Sequence, residues 1–350
     1  MTVAIDIADR RVGPGHPALV VAEIGVNHNG DMRLAAEMID AAADTGVDAV
    51  KFQSYRTEDF VRDRNLTYSY RQGGRTVTEA QFAMFKRCEL GPGSLEALKT
   101  HCDRRGVVFH ATPTSEEGIE ELVRLGVGVL KNGSDYLTHG PLVAAMGRTG
   151  LPTVLSTGMA TLAEVAAAVE AFRATGNTRL ILLHCTSSYP TPADEVHVRK
   201  MTTLARAFGC LVGFSDHTAS ALAAVGAVTL GACWIEKHFT LDKSLPGPDH
   251  AFSADPTEMR ELVDAVRTAE AQLGSSRIAP ARSESAGRRD FRLSCVAARD
   301  LKCSQTLLCH DVMFARPGTG LPPADVELVV GRRLKRDLAA GDLLLMEDLA

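Results

Sequence analysis

Apolar residues recur along this chain in short unbroken runs, each followed by a longer stretch in which they fall three or four positions apart. The runs are Leu19–Gly25, Ala49–Ser54, Val107–Pro113, Gly128–Ser134, Thr153–Gly158, Leu180–Cys185, Leu211–His217 and Trp234–Thr240. Apolar character without strict alternation predicts strands covered on both faces. The stretches between them carry helix signals. Ser115 precedes Glu116 and Glu117, with Ile119, Leu122 and Val123 on one face. Thr161 and Glu164 form a capping-box pair ahead of Leu162, Val165, Val169 and Phe172, and Gly176 supplies a stop. Asp255, Pro256 and Glu258 open a helix carrying Met259, Leu262, Val263 and Val266. Eight such alternations predict an α/β fold, a (β/α)8 TIM barrel. A doubly wound open sheet is the alternative, because a count of strands does not establish closure.

The rhythm breaks twice. Tyr55 to about Arg105 is a long insertion, polar and Arg-rich near Arg71–Arg75 and helical from Thr78 onward; on that rim of a barrel it reads as a lid or substrate loop. After a barrel of residues 1–273, the Ser, Ala, Gly and Arg of residues 274–289 read as a linker. Residues 290–350 change to short β-branched runs with turn-like Arg316-Pro-Gly-Thr-Gly320 and Gly341-Asp342, predicting a small β-rich domain.

Composition narrows the function classes. With 350 residues, 45% hydrophobic and 23% charged, the chain can bury a large core. Its net charge of −5 argues against nucleic acid or an anionic membrane as the main partner. The longest apolar stretch, Ala221 to Ile235, is short of a membrane span, and the first residues lack a basic-then-apolar signal pattern. Eight cysteines without a CxxC pair suit reduced thiols in a cytoplasmic protein.

In a barrel, the C-terminal ends of the strands converge on one mouth. Here those ends carry Glu23, Lys51, Thr112, Lys131, Ser156, His217 and His238, and the sixth adds Thr186 and Ser187. Lys51 and Lys131 lie in apolar runs, where an ammonium group needs an anion. With Thr112, Ser134, Ser156 and Ser215 they form a cradle suited to phosphate and carboxylate together. Nothing resembles a P-loop, which excludes that route to a nucleoside triphosphate. His217 and His238 end neighbouring runs, so two imidazoles can reach one ion. A two-His site with open positions suits Mn²⁺, Fe²⁺, Co²⁺ or Zn²⁺. Asp216 and Glu236 lie beside them as further ligands or orienting groups, and His110 and His184 read as support. Glu23, inside VVAEIG, is expected to face a lysine, a metal or substrate; proton transfer and a salt bridge to Lys51 on the neighbouring strand are compatible roles for it.

The run VAEIGVNHNGD, followed by VKFQ, LLHCTSSYPTP, GFSDHT and EKHFTLDKSLPGPDHAFSADP, resembles the N-acetylneuraminate (sialic acid) synthase family, which includes legionaminic and pseudaminic acid synthases. The similarity spans about residues 15 to 349, and Arg316-Pro-Gly-Thr-Gly320 with Gly331-Arg-Arg-Leu334 resembles the antifreeze-like (SAF) domain that ends these enzymes. The resemblance implies condensation of phosphoenolpyruvate with an N-acylated amino sugar, giving a nine-carbon 2-keto-3-deoxy acid and phosphate. It makes His217 and His238 the metal ligands, usually for Mn²⁺, with Mg²⁺ or Co²⁺ as alternatives, and Glu23 the catalytic carboxylate. It assigns Lys51, Thr112, Lys131, Ser134, Ser156 and Ser215 to phosphoenolpyruvate, and Gln53, Tyr189, Asp249 and Phe291 to the sugar. Arg316 matches an arginine that reaches the partner subunit's sugar site, which implies a domain-swapped homodimer.

Departures fall on the acceptor side. Tyr136 stands where a carboxylate is frequent, Ser187 where Asn is frequent, and Ala111 where Ser is. In the small domain, Lys302-Cys303-Ser304 replaces a Lys-Gly turn. Two other readings compete: a metal-dependent barrel hydrolase, weakened because the first strand offers Glu23 and Asn27-His28 rather than an HxH pair, and a catalytically silent sugar-binding or scaffold protein.

Overall fold

Eight parallel strands occupy the eight apolar runs, trimmed at their ends: Leu19–Gly25, Ala49–Ser54, Val108–Pro113, Leu130–Asn132, Thr153–Ser156, Leu180–His184, Leu211–Asp216 and Trp234–His238. Their pairing order is third, second, first, eighth, seventh, sixth, fifth, fourth. The third and fourth lie side by side without a registered ladder, so the ring is a nearly closed TIM-like barrel and not an open doubly wound sheet. The computed structural model describes residues 3–350 and divides into two units, one ending at Gly274 and one spanning Ser275–Ala350.

The apolar runs conceal a period of two. One parity (Val20, Ala22, Ile24, Val50, Phe52) packs outward with helix residues such as Met38, Leu98, Leu122 and Phe172. The other parity (Leu19, Val21, Ala49, Val154, Ile181, Leu183, Trp234) fills the barrel interior at its N-terminal end. The indole of Trp234 fits inside because its neighbour on the seventh strand is Gly213, where an added Cβ would lie 2.7 Å from the Trp234 Cβ. Further along the same strands this inward parity turns polar, and that change positions the site.

Several helix starts are set by the residues the sequence marks. Ser115 accepts a hydrogen bond from the Gly118 N–H, and Thr161–Glu164 and Asp255–Glu258 form complete capping boxes on helices Leu162–Arg173 and Pro256–Leu273.

The insertion differs from its expected form. Residues 78–80 are not helical: Thr67–Gln72 and Arg75–Ala80 form an antiparallel hairpin, and the helices are Gln81–Cys88 and Ser94–Arg105. The signal was the Gly73-Gly74 pair between two β-prone runs; both glycines have positive φ, as a tight hairpin turn requires. A second hairpin, Ile5–Ile7 with Arg10–Val12, places Ile7 and Val12 in the interior cluster at the barrel's N-terminal end. Asp48 ties this end together: its carboxylate accepts from Arg10 Nη1 at 2.7 Å, the Val20 N–H at 2.8 Å and Arg267 Nη2 at 2.6 Å.

In the second unit, part of the stretch read as a linker is ordered as a 3-10 turn, Arg282–Glu284, and a short helix, Ser285–Asp290. Ser294–Ala297 pairs antiparallel with Val312–Ala315 over a small core that includes Cys295, Leu301, Leu307, Leu334, Leu338 and Leu344. Among the described residues no helix is long and apolar enough to cross a membrane, and all eight cysteines are free thiols.

Ile7→Ala is expected to cost about 2–5 kcal/mol, as for deletion of a buried aliphatic side chain. Urea unfolding should show a lower midpoint at unchanged slope. An unchanged midpoint would show that the N-terminal hairpin is not part of the barrel's folding unit.

Candidate active site

At the C-terminal ends of the strands the inward-facing side chains are charged and buried. Glu23, Lys51, Lys131 and Glu236 are each at most 4% exposed and converge from the first, second, fourth and eighth strands. Lys51 Nζ lies 3.0 Å from Glu23 Oε2 and 3.5 Å from Glu236 Oε1, and Lys131 Nζ lies 3.7 Å from Glu236 Oε1. Burying four charges is tolerable only because each cation meets an anion. The tier is electrically uneven. Burial pushes the Glu236 carboxyl up, but the ammonium groups of Lys131 and Lys51 outweigh it and hold the group down as a carboxylate. For Glu23, burial dominates over Lys51 and, with the Glu236 charge nearby, raises its pKa. Burial lowers Lys131 despite Glu236, whereas the carboxylates beside Lys51 overcome its burial and raise it.

Hydroxyls ring the ammonium groups. Lys51 Nζ donates to Thr112 Oγ1 at 3.3 Å, and Lys131 Nζ donates to Ser156 Oγ at 2.7 Å. Ser134, just beyond the short fourth strand on a 3-10 turn, accepts from the Gly158 N–H at 3.1 Å. Gly158 leaves room there, since a Cβ would collide with the hydroxyls of Ser187 and Ser134. Gln53 Nε2 donates to Glu23 Oε1 at 3.3 Å, and Ser215 Oγ donates to Glu236 Oε1 at 3.4 Å.

His217 and His238 stand with ring centroids 5.5 Å apart. His217 Nδ1 is 2.7 Å from the Thr186 carbonyl, which accepts its hydrogen and leaves Nε2 as the lone-pair nitrogen, 3.3 Å from Ser215 Oγ. His238 Nδ1 is buried without a hydrogen-bond partner, with Asp249 Oδ2 at 3.6 Å. Burial keeps both rings neutral: it lowers His217 to about 4 and, with His217 alongside, holds His238 well below its usual range. A neutral imidazole oriented by the Thr186 carbonyl, beside a second whose Nδ1 is unpartnered, fits a divalent ion. Among the described residues no three His, Cys, Asp or Glu converge as a ready-made metal cluster, so the chain offers two imidazoles and leaves other positions to water or substrate. Tyr189 packs on His217 with centroids 4.3 Å apart and planes tilted by 40°, and Phe252 packs against Tyr189 and His238. Burial raises Asp249 to about 7 against the pull of Lys51.

One cavity of about 540 Å³ takes in the charged tier, the hydroxyls around it, the histidine pair, Tyr189 and Asp249. It brings together Glu23, Lys51, Gln53, Thr112, Lys131, Ser134, Ser156, Ser187, Tyr189, Ser215, His217, His238 and Asp249, while Thr186 lies outside its lining. Phe291 and Arg316 belong to the second unit, where the Arg316 guanidinium lies 5.3 Å over the Phe291 ring. One expectation fails: Asp216 does not accompany the histidine pair; it faces the other side of its strand and accepts from Lys237 Nζ at 3.0 Å. Glu236 sits between the two lysines and reaches the pair through Ser215, whose Oγ lies 3.4 Å from Glu236 Oε1 and 3.3 Å from His217 Nε2. Its sequence signal was parity, because Glu236 shares the inward side of its strand with Trp234 and His238. Sequence reading also missed the cavity's outer wall, an edge-to-face cluster of Tyr55, Phe60 and Phe85 from the insertion.

Comparison with known proteins matches residues 38–277 to the NeuB family and residues 294–350 to the SAF domain. The chain is 40% identical over 341 residues to N,N'-diacetyllegionaminic acid synthase of Legionella pneumophila, covering 96% of each chain. It is 31% identical to a pseudaminic acid synthase of Campylobacter jejuni, covering 94% of this chain and 96% of that one. The crystal structure of N-acetylneuraminic acid (sialic acid) synthetase from Leptospira borgpetersenii, in complex with citrate, superposes with a TM-score of 0.74 at 32% identity, over 82% of this chain and 95% of that chain. A barrel with this charged tier, followed by a β domain matching the SAF model, belongs to the NeuB family.

Proposed function

We propose that this chain is a nonulosonic acid synthase, condensing phosphoenolpyruvate with an N-acylated amino sugar to give a sialic-acid-like 2-keto-3-deoxy acid and phosphate. The observation that carries the reading is the buried tier of two lysines and two carboxylates opening into the same cavity as two neutral imidazoles. Two ammonium groups at the floor of the cavity favour an anion carrying both phosphate and carboxylate.

Lys51 and Lys131 supply charge to that anion, and the hydroxyls of Thr112, Ser134, Ser156 and Ser215 fix its orientation. Tyr189, Gln53, Ser187 and Asp249 form the acceptor side. The family implies a divalent metal, and His217 and His238 would hold it; Mn²⁺ is the first choice, with Mg²⁺ or Co²⁺ as alternatives. When bound, such an ion supplies Lewis acidity at the sugar's aldehyde. Burial raises Glu23 to about 7, so it can take up or release a proton near neutral pH and exchange it with the reacting centre. The cavity keeps the two substrates in contact, an effect worth roughly 7–11 kcal/mol when alignment is good. The site is completed in a domain-swapped homodimer, in which the partner subunit's Arg316 and the partner's Phe291 reach the sugar. The diacylamino hexoses head the acceptor candidates, given the identity to the legionaminic acid synthase.

The test is phosphate release from phosphoenolpyruvate with Mn²⁺ across N-acyl hexosamines and 2,4-diacylamino hexoses, with products read by mass spectrometry. Release is expected only when an aldehyde sugar is present; release without sugar, or none with any sugar, overturns the reading. His217→Ala is expected to abolish stoichiometric Mn²⁺ binding in calorimetry while the thermal melt survives. Retained binding would remove His217 from the ligand set. Arg316→Ala should raise the KM for the sugar about tenfold and leave that for phosphoenolpyruvate nearly unchanged, whereas equal shifts would dissociate Arg316 from the acceptor.

A further inference from the structure

The NHNGD run after the first strand supplies no group to the chemistry above, yet two of its side chains are committed to distant backbone. The segment after the eighth strand, residues 239–254, leaves and returns beside itself: the Thr240 N–H donates to the Ala254 carbonyl at 2.9 Å, and the Ala254 N–H to the His238 carbonyl at 2.8 Å. Between these points it carries Asp249 and Phe252 out to His238 and Tyr189. A loop of this length needs fastening if its tip is to hold one geometry.

The fastening comes from the first strand's turn. Asn29 Nδ2 donates to the Pro246 carbonyl at 2.7 Å and lies 3.2 Å from His250 Nε2. His250 Nδ1 lies 2.7 Å from Thr240 Oγ1, whose own hydrogen goes to the Asp242 carbonyl at 3.1 Å. The chain of donors has one consistent direction: Asn29 amide to His250 Nε2, His250 Nδ1–H to Thr240, Thr240 hydroxyl to Asp242. Asn27 Nδ2 donates to the Phe239 carbonyl at 2.8 Å and to Ser253 Oγ at 2.9 Å, and Ser253 Oγ donates to the Asp249 carbonyl at 2.6 Å. Asn29 is also suited to its backbone, which has φ 51°.

We propose that Asn27, Asn29 and His250 are positioning residues for the acceptor: they clasp the 239–254 segment to the first strand and thereby set Asp249 and Phe252 against His238 and Tyr189. The proposal rests on the synthase reading for its kinetic consequence, although the clasp itself does not.

Asn29→Gly keeps the left-handed backbone and deletes only the amide, and Ser253→Ala cuts the link to Asp249 with little change in volume. Each is expected to raise the KM for the amino sugar about tenfold, with the KM for phosphoenolpyruvate within about twofold of wild type and the melting temperature nearly unchanged. Hydrogen exchange in the full-length protein should accelerate in peptides covering 241–253 and not in those covering the barrel strands. Unchanged sugar KM, a parallel rise in both KM values, or unchanged exchange in 241–253 overturns the proposal. If wild-type protein condenses no sugar, the synthase reading fails, and the exchange measurement still decides whether the clasp exists.

Discussion

Two ammonium groups buried beside two carboxylates are the constraint on which the rest of this barrel turns. Removing one partner from such a set leaves an uncompensated buried charge, typically a loss of 3–5 kcal/mol. The four groups therefore depend on the strand register that aligns them, with Glu23 opposite Lys51 on neighbouring strands and Glu236 opposite Val21. The same pairing separates their protonation behaviour. Glu236, set between two lysines, stays a carboxylate, while Glu23 carries the consequence of burial and holds a proton more readily.

Everything beneath the tier serves to keep it dry and fixed. The lower half of the interior is filled by aliphatic side chains and one indole, the N-terminal hairpin adds Ile7 and Val12 to that filling, and Asp48 ties the hairpin to helix Pro256–Leu273. Above the tier the walls become aromatic, with Tyr189 and Phe252 against the imidazoles and Tyr55, Phe60 and Phe85 on the insertion side. A charged floor under apolar walls suits an anion held below a sugar whose N-acyl groups present methyls.

Much of the fold was legible because its signals are local. The apolar runs marked the eight strands, and Thr161–Glu164 and Asp255–Glu258 marked helix starts that the backbone adopts. The hairpins were harder. Thr67–Ala80 had a Gly-Gly turn to announce it, but its strands are mostly exposed and carry many polar residues, and the N-terminal pair is only three residues per strand.

Residue type and spacing by themselves determined which side chains could do chemistry, since lysine, glutamate and histidine inside apolar runs are costly unless they meet partners. They did not determine which way each one faces. Asp216 and Glu236 each adjoin a candidate ligand or lie near one in sequence, yet one pairs with Lys237 outside the barrel and the other sits between Lys51 and Lys131 inside it. Strand register decides that, because side chains alternate across a strand and only the closed arrangement of neighbours says which parity is interior. The tertiary structure likewise decided that the asparagines after the first strand fasten a loop more than two hundred residues away, a contact no local pattern encodes.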